Sequence, residues 1–525
     1  MKNIVSTKKI KNWHWPLIIL IAINITIGFM IVQGFGESVD ELSQNLYAQR
    51  TIQAIQNLFK ENPNANKFFT EKPAQGSHGP AFIVSVNLLK RFFLQNGSRI
   101  DKLTFTHFIY FIFFLVGVIS FYFLALRWLS RPAALGATLL FNTQPLLVGH
   151  AFMNPKDVVF MSLLTTSAVL GLWMLDRQEI AVPKTGTSFL NSCRLFLSEF
   201  GNWDVWLAGL VLGFSSAIRI AAPIIGLIVL AYVLLSRRWQ VLPRFFTYAF
   251  IAFGFMLVFW PYLWPDPVGR LMGSLFNSAY YPGEYLTLFK GGLFNSDNIP
   301  LSYLPVLMLI QLTETTLLLI MISGLALFKK IRWDFLALFL IWFGLPFVMI
   351  IISRMKLYNN FRQVFFILPP LFLLAGFGLD WLFVYLKKPA FRYLIIFLVL
   401  LPGLYANITL YPYQYVYYNQ LVGGLPGAYR KYELDYWNLA FREAQEYINQ
   451  TASQGSNIYV IQSKYLAQTF ARPDLIYNAF GGQQKDKYDY IIVSTAGNED
   501  KKYTRFRTVY TVERFGVPLA YVKKP

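Results

Sequence analysis

Long apolar runs, each ended by a basic cluster or a polar turn, organise this chain. They fall near residues 15–33, 107–126, 132–149, 158–175, 204–219, 221–236, 245–263, 304–328, 334–352, 364–386 and 392–410. Each approaches the ~20 residues that a helix needs to cross a bilayer, so the pattern predicts eleven spans. Arg219-Ile220-Ala221-Ala222-Pro223 interrupts an otherwise continuous run and separates two of them. Residues 34–106 are of mixed polarity. Within them Leu42, Leu46, Ile52, Ile55 and Phe59 recur at helical spacing, as do Phe82, Val86, Leu89 and Phe93, which predicts amphipathic helices on the membrane surface. Past residue 410 the apolar runs stop. Residues 433–450 predict a helix, and Asn457–Ile461, Tyr488–Val493 and two runs within 507–523 predict strands. The expected architecture is an α-helical polytopic membrane domain over residues 1–410 and a small α/β domain over residues 411–525.

Composition agrees with that class. Of 525 residues, 55% are hydrophobic and 14% charged, against about a quarter charged in soluble domains. The one cysteine, Cys193, can form no internal disulfide and rules out a cysteine-based metal site. A net charge of +20 would suit nucleic acid, but the placement of the charge argues otherwise. Lys8, Lys9 and Lys11, then Arg127 and Arg131, then Arg237, Arg238 and Arg244, then Lys329, Lys330 and Arg332, and finally Lys387, Lys388 and Arg392 fall in alternate loops. That is the positive-inside distribution. It predicts a cytoplasmic N-terminus, a C-terminal domain on the other side, and no nucleic-acid partner. The first run is long and lacks a small-residue cleavage site, so no cleavable signal is expected. A Walker loop, a GxGxxG motif, a nucleophile elbow and an internal repeat are all missing, which argues against an ATP-driven pump.

Candidate chemistry gathers where the chain leaves the bilayer. Gly36-Glu37-Ser38-Val39-Asp40-Glu41-Leu42 puts three carboxylates within five residues directly after the first span. Charge so close to hydrocarbon is costly unless water, a partner or a substrate meets it. Ser38-x-x-Glu41 is also a capping-box pattern, with Asp40 and Glu41 as first-turn carboxylates, and the two roles are compatible. A second external turn, His150-Ala151-Phe152-Met153-Asn154-Pro155-Lys156-Asp157, adds an acid on the same side. Asn154 suits a helix cap and Pro155 a helix start. His150 and Asp157 fall short of a metal site, and His78 sits in turn chemistry with no second His or Cys nearby. The external loop at 266–303, with Tyr281 and Glu284, reads equally as a substrate cover or a connector. Arg354, Lys356 and Arg362 break the charge rule by falling outside. Together with Arg219 and Lys156 they predict an external cationic lining, the alternative being snorkelling toward headgroups. The tyrosine-rich stretch 411–418 suits packing on the membrane face better than base stacking.

This layout resembles the GT-C glycosyltransferases, and most of all the branch of protein O-mannosyltransferases and lipid A aminoarabinose transferases. Asp40-Glu41 matches the acidic pair after the first span, whose Asp the family assigns to catalysis, and Asp157 falls at the second acidic position. The C-terminal domain departs from the β-trefoil of the mannosyltransferases. The resemblance implies an inverting transfer of a sugar from a polyprenyl-phosphate carrier to a glycan, lipid or protein acceptor outside the cytoplasm; the expected membrane is a bacterial plasma membrane, with that of the endoplasmic reticulum as the alternative. The residues suit that chemistry: a carboxylate as base for a hydroxyl acceptor, carboxylates against an oxocarbenium-like transition state, and cations for a phosphate leaving group. The expected catalytic set is Asp40 as base, Asp157 as a positioning group and Glu41 as a second one. Arg219, Arg362, Lys156, Arg354 and Lys356 are expected to bind the lipid phosphate. His78, His150, Asn154, Tyr281 and Glu284 are further expected substrate contacts. No cofactor is required, although Asp40 and Asp157 would allow a divalent ion, Mg or Mn. The rival reading is a transporter or flippase of polyprenyl-linked sugars, which the missing inverted repeat disfavours.

Overall fold

A computed structural model describes residues 14–59, 78–177, 189–279, 283–329, 332–477 and 488–525. All eleven apolar runs are wholly or mostly helical. Among the described residues six helices are long and apolar enough to cross a membrane: Trp15–Gly34, Arg99–Ala125, Asp157–Arg177, Trp239–Phe259, Trp333–Ile352 and Pro389–Thr409. Many large apolar side chains on these helices face outward, Phe29 and Met30 among them, as expected where lipid is the solvent. The chain is an integral membrane protein.

Two of the expected spans are broken, and the breaks meet. Residues 132–149 divide at Gln144 into helices Arg131–Thr143 and Pro145–Met153. Residues 304–328 divide into Tyr303–Gln311 and Glu314–Lys329, which pass the test for a span only as a pair bent by 109°. Breaking a helix at this depth frees backbone groups that hydrocarbon cannot satisfy. Gln144 satisfies both sides: its Nε2 donates to the Gln311 carbonyl at 2.7 Å, and its Oε1 accepts from the Thr313 N–H at 3.3 Å. Ile224–Ser236 and Pro369–Val384 are shorter apolar helices. Helices pack in pairs, Trp203–Ser216 along Leu242–Phe259, and Glu314–Lys329 along Pro369–Val384. In the second pair a Cβ on Gly378 would lie 2.2 Å from the Leu319 carbonyl oxygen, so only glycine permits the approach.

The region between the first two long helices contains Val39–Phe59 and Ala81–Phe93, as its periodicity predicts. The first buries Tyr47, Ala48 and Ile52 and leaves Leu46 exposed.

Strands β1 (Leu286–Phe289) and β2 (Gly292–Asn295) form an antiparallel hairpin. A five-stranded sheet closes the chain, built from β3 (Asn457–Val460), β4 (Ile476–Tyr477), β5 (Tyr490–Ser494), β6 (Arg507–Arg514) and β7 (Val517–Lys524). Its order is β4-β3-β5-β7-β6. β3 pairs in parallel with β4 and β5, while β7 runs antiparallel to β5 and β6. The helix expected over 433–450 begins only at Phe441 and ends at Thr451. Residues 433–440 are irregular instead, because Asp435 takes the helix's place locally. Its carboxylate accepts from the N–H groups of Leu439 (2.9 Å) and Ala440 (3.2 Å), and Asp435 and Asn438 adopt left-handed φ values. One continuous hydrophobic core runs from the membrane helices through residues 413–441 into the sheet.

Candidate active site

The segment bearing Asp40 is fastened from both sides. Phe35 stacks on Phe152 at 4.4 Å, and Phe152 stacks on Phe111 at 4.4 Å. A Cβ on Gly36 would sit 2.7 Å from the Leu439 carbonyl, so glycine lets the two strands of chain touch. The Ser38 hydroxyl donates to the Met153 carbonyl at 3.0 Å. It therefore does not cap its own helix, but the other half of the capping box forms: the Ser38 N–H donates to Glu41 Oε2 at 2.7 Å. Tyr465 Oη donates to the Val39 carbonyl at 2.6 Å, next to Asp40 itself.

Asp157 opens the Asp157–Arg177 helix, with Asn154 as its cap. Asn154 Oδ1 accepts from the N–H groups of Lys156 (3.0 Å) and Asp157 (2.8 Å), and its Nδ2 donates to Asp157 Oδ2 at 3.0 Å. The Arg219 break lets that side chain donate to Asp157 Oδ1. Arg362 arrives at the start of a 3-10 stretch, Arg362–Ile367. Its Nη1 lies 3.0 Å from Asp157 Oδ2 and 3.0 Å from Asp40 Oδ2. Asp157 is 1% exposed, whereas Asp40 is 22% exposed, so Asp40 is the carboxylate that a substrate can reach.

The aromatic wall comes from residues 436–437. Trp437 lies 4.8 Å from the Arg362 guanidinium and Tyr358 5.5 Å from it, a cation held between π faces. His150 packs edge-on to Trp437 at 5.1 Å, and its Nε2 lies 2.8 Å from Tyr436 Oη. Asn154 Nδ2 sits 3.0 Å from His150 Nδ1, which makes Nδ1 the acceptor and leaves the ring proton on Nε2, toward Tyr436. Burial pushes the imidazole down to about 3, so it stays neutral.

The charges do not balance. Arg219, Arg362 and Lys156 face two carboxylates, and the Nε atoms of Arg219 and Arg362 are buried without a hydrogen-bond partner. Burial pushes the Lys156 ammonium down to about 8, partly offset by Asp40. Cationic surplus with unused donors is the environment of an anion. Among the described residues no three His, Cys, Asp or Glu side chains gather as metal ligands. The position between the two carboxylates is held by Arg362 Nη1, so the group fits a guanidinium there rather than a divalent ion.

Not every expected residue joins this cluster. Glu41 turns the other way, its Oε1 3.0 Å from His107 Nε2 with both side chains buried. Glu37 pairs with Arg99 at 3.1 Å and accepts from Thr469 at 2.5 Å. His78 stands near Lys156 and Arg219; burial, and then those cations, hold it well below its usual range. Lys356 pairs with Asp297 at 2.5 Å, and Arg354 is exposed. Glu284 is exposed and accepts from Asn295 at 3.2 Å. Tyr281 lies outside the described residues. Sequence reasoning missed His107, Tyr436 and Trp437. A lone histidine inside an apolar span, with carboxylates just outside, was a signal for the first.

No protein-family model matches the sequence, and no curated protein matches it as a relative. Among solved structures, the chain is similar to ArnT from Cupriavidus metallidurans in the apo state, with TM-score 0.50 and 14% identity over 96% of this chain and 97% of that one. Weaker likenesses are the Archaeoglobus fulgidus oligosaccharyltransferase in the apo form (TM-score 0.47, 13% identity, 93% of this chain and 70% of that one) and the arabinofuranosyltransferase AftD from Mycobacteria (0.43, 12%, 98% and 40%). The likeness to ArnT is one of fold, and it is the GT-C-like fold that the sequence resemblance implies.

Proposed function

We propose that this chain is a membrane glycosyltransferase that moves a sugar from a polyprenyl-phosphate carrier to an acceptor outside the cytoplasm, with inversion. The observation that carries the reading is the cationic surplus of buried Arg362 and half-buried Arg219 and Lys156 around one reachable carboxylate, Asp40. In the reaction an acceptor oxygen bonds to the anomeric carbon as the bond from that carbon to the phosphate oxygen breaks. Asp40 takes the acceptor's proton, and the phosphate leaves carrying negative charge. Arg219 and Arg362 offer it fork-like donors and Lys156 a point charge, so charge stabilisation replaces a general acid. Asp157, itself fixed by Asn154, holds the arginines in place. A single displacement needs one base on the face opposite the leaving group, which is the origin of the inversion. The cations supply the positive charge without a metal. The reading includes eleven spans, with the Asp40 end of the bundle outside and the N-terminus in the cytoplasm.

The test is direct. Purified protein given a polyprenyl-phosphate sugar and a hydroxyl-bearing acceptor should release polyprenyl phosphate in step with glycosylated product. Movement of intact donor between the leaflets of a vesicle, without release, would instead identify a transporter.

A further inference from the structure

A cavity lies apart from the Asp40–Asp157 cluster. It encloses about 650 Å³ between the end of the Pro389–Thr409 helix, the start of the Glu314–Lys329 helix, the 417–426 segment and the β6–β7 turn. Its walls are mostly apolar, with Leu401, Ala406, Leu410, Leu425 and Phe515 among them. Tyr405 is 62% and Phe515 48% exposed at its rim, and the two rings lie 6.3 Å apart. Exposed apolar side chains at the end of a membrane-length helix open the cavity toward lipid. The stretch 415–418 is the wall shared with the active site: Tyr417 and Tyr418 line the cavity, whereas Tyr415 packs on His150 at 5.8 Å and on Tyr436 at 5.2 Å.

One charged group lines this apolar space. Glu314 accepts from the Gln420 N–H at 2.5 Å and from Tyr417 Oη at 3.4 Å. A carboxylate has about four lone-pair sites, so acceptor capacity is left over. No Lys, Arg or His lines the cavity, and no ion pair neutralises Glu314 among the described residues. An anion with spare acceptor sites, set in an apolar pocket at a lipid boundary, complements a cationic donor attached to a hydrocarbon chain. It repels a phosphate terminus, so the polyprenyl-phosphate donor does not suit this seat.

We propose that the cavity binds one aminophospholipid, with an acyl chain against the apolar wall and the headgroup ammonium on Glu314. The site is a lipid-binding site on the membrane flank of the layer that carries Tyr415 and Tyr436.

The probe is the full chain in detergent, stripped of lipid. Phosphatidylethanolamine and phosphatidylglycerol of identical acyl chains, and a polyprenyl phosphate, are added separately. Thermal unfolding and native mass spectrometry are read. Phosphatidylethanolamine should raise Tm and give a one-to-one adduct, with phosphatidylglycerol bound about tenfold or more weakly. Glu314→Gln should remove that preference while apolar binding persists, since one charge-assisted hydrogen bond is lost. Filling the space from either of two lining positions, Leu401→Trp or Thr409→Trp, should abolish the shift. Equal shifts with both phospholipids, no shift with either, a shift that survives both tryptophans, or polyprenyl phosphate displacing phosphatidylethanolamine would each overturn the assignment. Only binding is read, so a failed transfer assay leaves the result intact.

Discussion

Asp40 and Asp157, on different helices, share one nitrogen: Arg362 Nη1 lies 3.0 Å from an oxygen of each. The carboxylate that can reach substrate is therefore tied to the one that cannot. In the proposed reaction a phosphate entering beside Arg362 would compete with Asp40 for the same donor and would release Asp40 to take the acceptor's proton. Asp157, which also accepts from Arg219 and Asn154, stays in place.

Asp40→Asn keeps shape and hydrogen-bonding capacity but cannot take a proton. With folding and donor binding intact, transfer should fall by about 10²–10⁴-fold. Glu41→Gln should cost far less rate, because Glu41 serves the Ser38 N–H and His107. Near-normal turnover in Asp40→Asn, at matched protein levels, would remove Asp40 from the base role.

Donor affinity should respond to Arg362 by geometry as well as charge. Arg362→Ala should weaken binding of a polyprenyl-phosphate sugar by about tenfold or more, the scale of a charged hydrogen bond. Arg362→Lys should recover only part of it, since the fork is lost. Isothermal titration of both variants checks this, and unchanged affinity in each would place the phosphate elsewhere.

If Lys156 meets the donor phosphate as proposed, donor binding should depend on pH. With its ammonium pushed down to about 8, the side chain is cationic below that pH and neutral above it. The Kd for donor should therefore rise as pH climbs from 7 to 9.5. Lys156→Arg should flatten the profile, and Lys156→Met should bind weakly across the range.

The irregular stretch beneath Trp437 carries its own pH signature. Burial pushes Glu433 and Asp435 up to about 7 from 4.5 and 3.8. Between those limits the folded chain holds protons that the unfolded chain has released, so stability falls as pH rises through the window and levels off above about 7. Thermal unfolding at pH 5, 6, 7 and 8 should show this slope. Asp435→Asn, the uncharged mimic, should reduce it.

Orientation is open to a labelling experiment. A membrane-impermeant maleimide should reach Cys193 only after the cytoplasmic face is opened, while protease outside intact cells should reach residues 430–525. Cytoplasmic protection of that region would reverse the assignment of faces.

That Asp40, Asp157 and three cations would gather was legible because position in a membrane chain is informative: Asp40 and Asp157 stand at hydrocarbon boundaries, Lys156 precedes Asp157 in the same external turn, and Arg219 and Arg362 defy the charge rule. The same rule misdirected at Lys356, whose charge is met by Asp297, a partner no periodicity announces. The helix breaks at Gln144 and Gln311 hid inside apolar runs, since a hydropathy window averages over one amide. Trp437 was lost to a helical reading of 433–450 that ignored how a buried aspartate can capture the backbone N–H groups ahead of it.

The place of Trp437 bears on how such a chain can be recombined. The apolar runs stop at residue 410, which invites treating everything beyond as an exchangeable attachment. Yet the indole against Arg362, the phenol on His150 and the Tyr465 contact beside Asp40 all come from beyond that point. A chimera joined at residue 410 would inherit both carboxylates and lose the ceiling over them, whereas a junction beyond the sheet would carry the ceiling along.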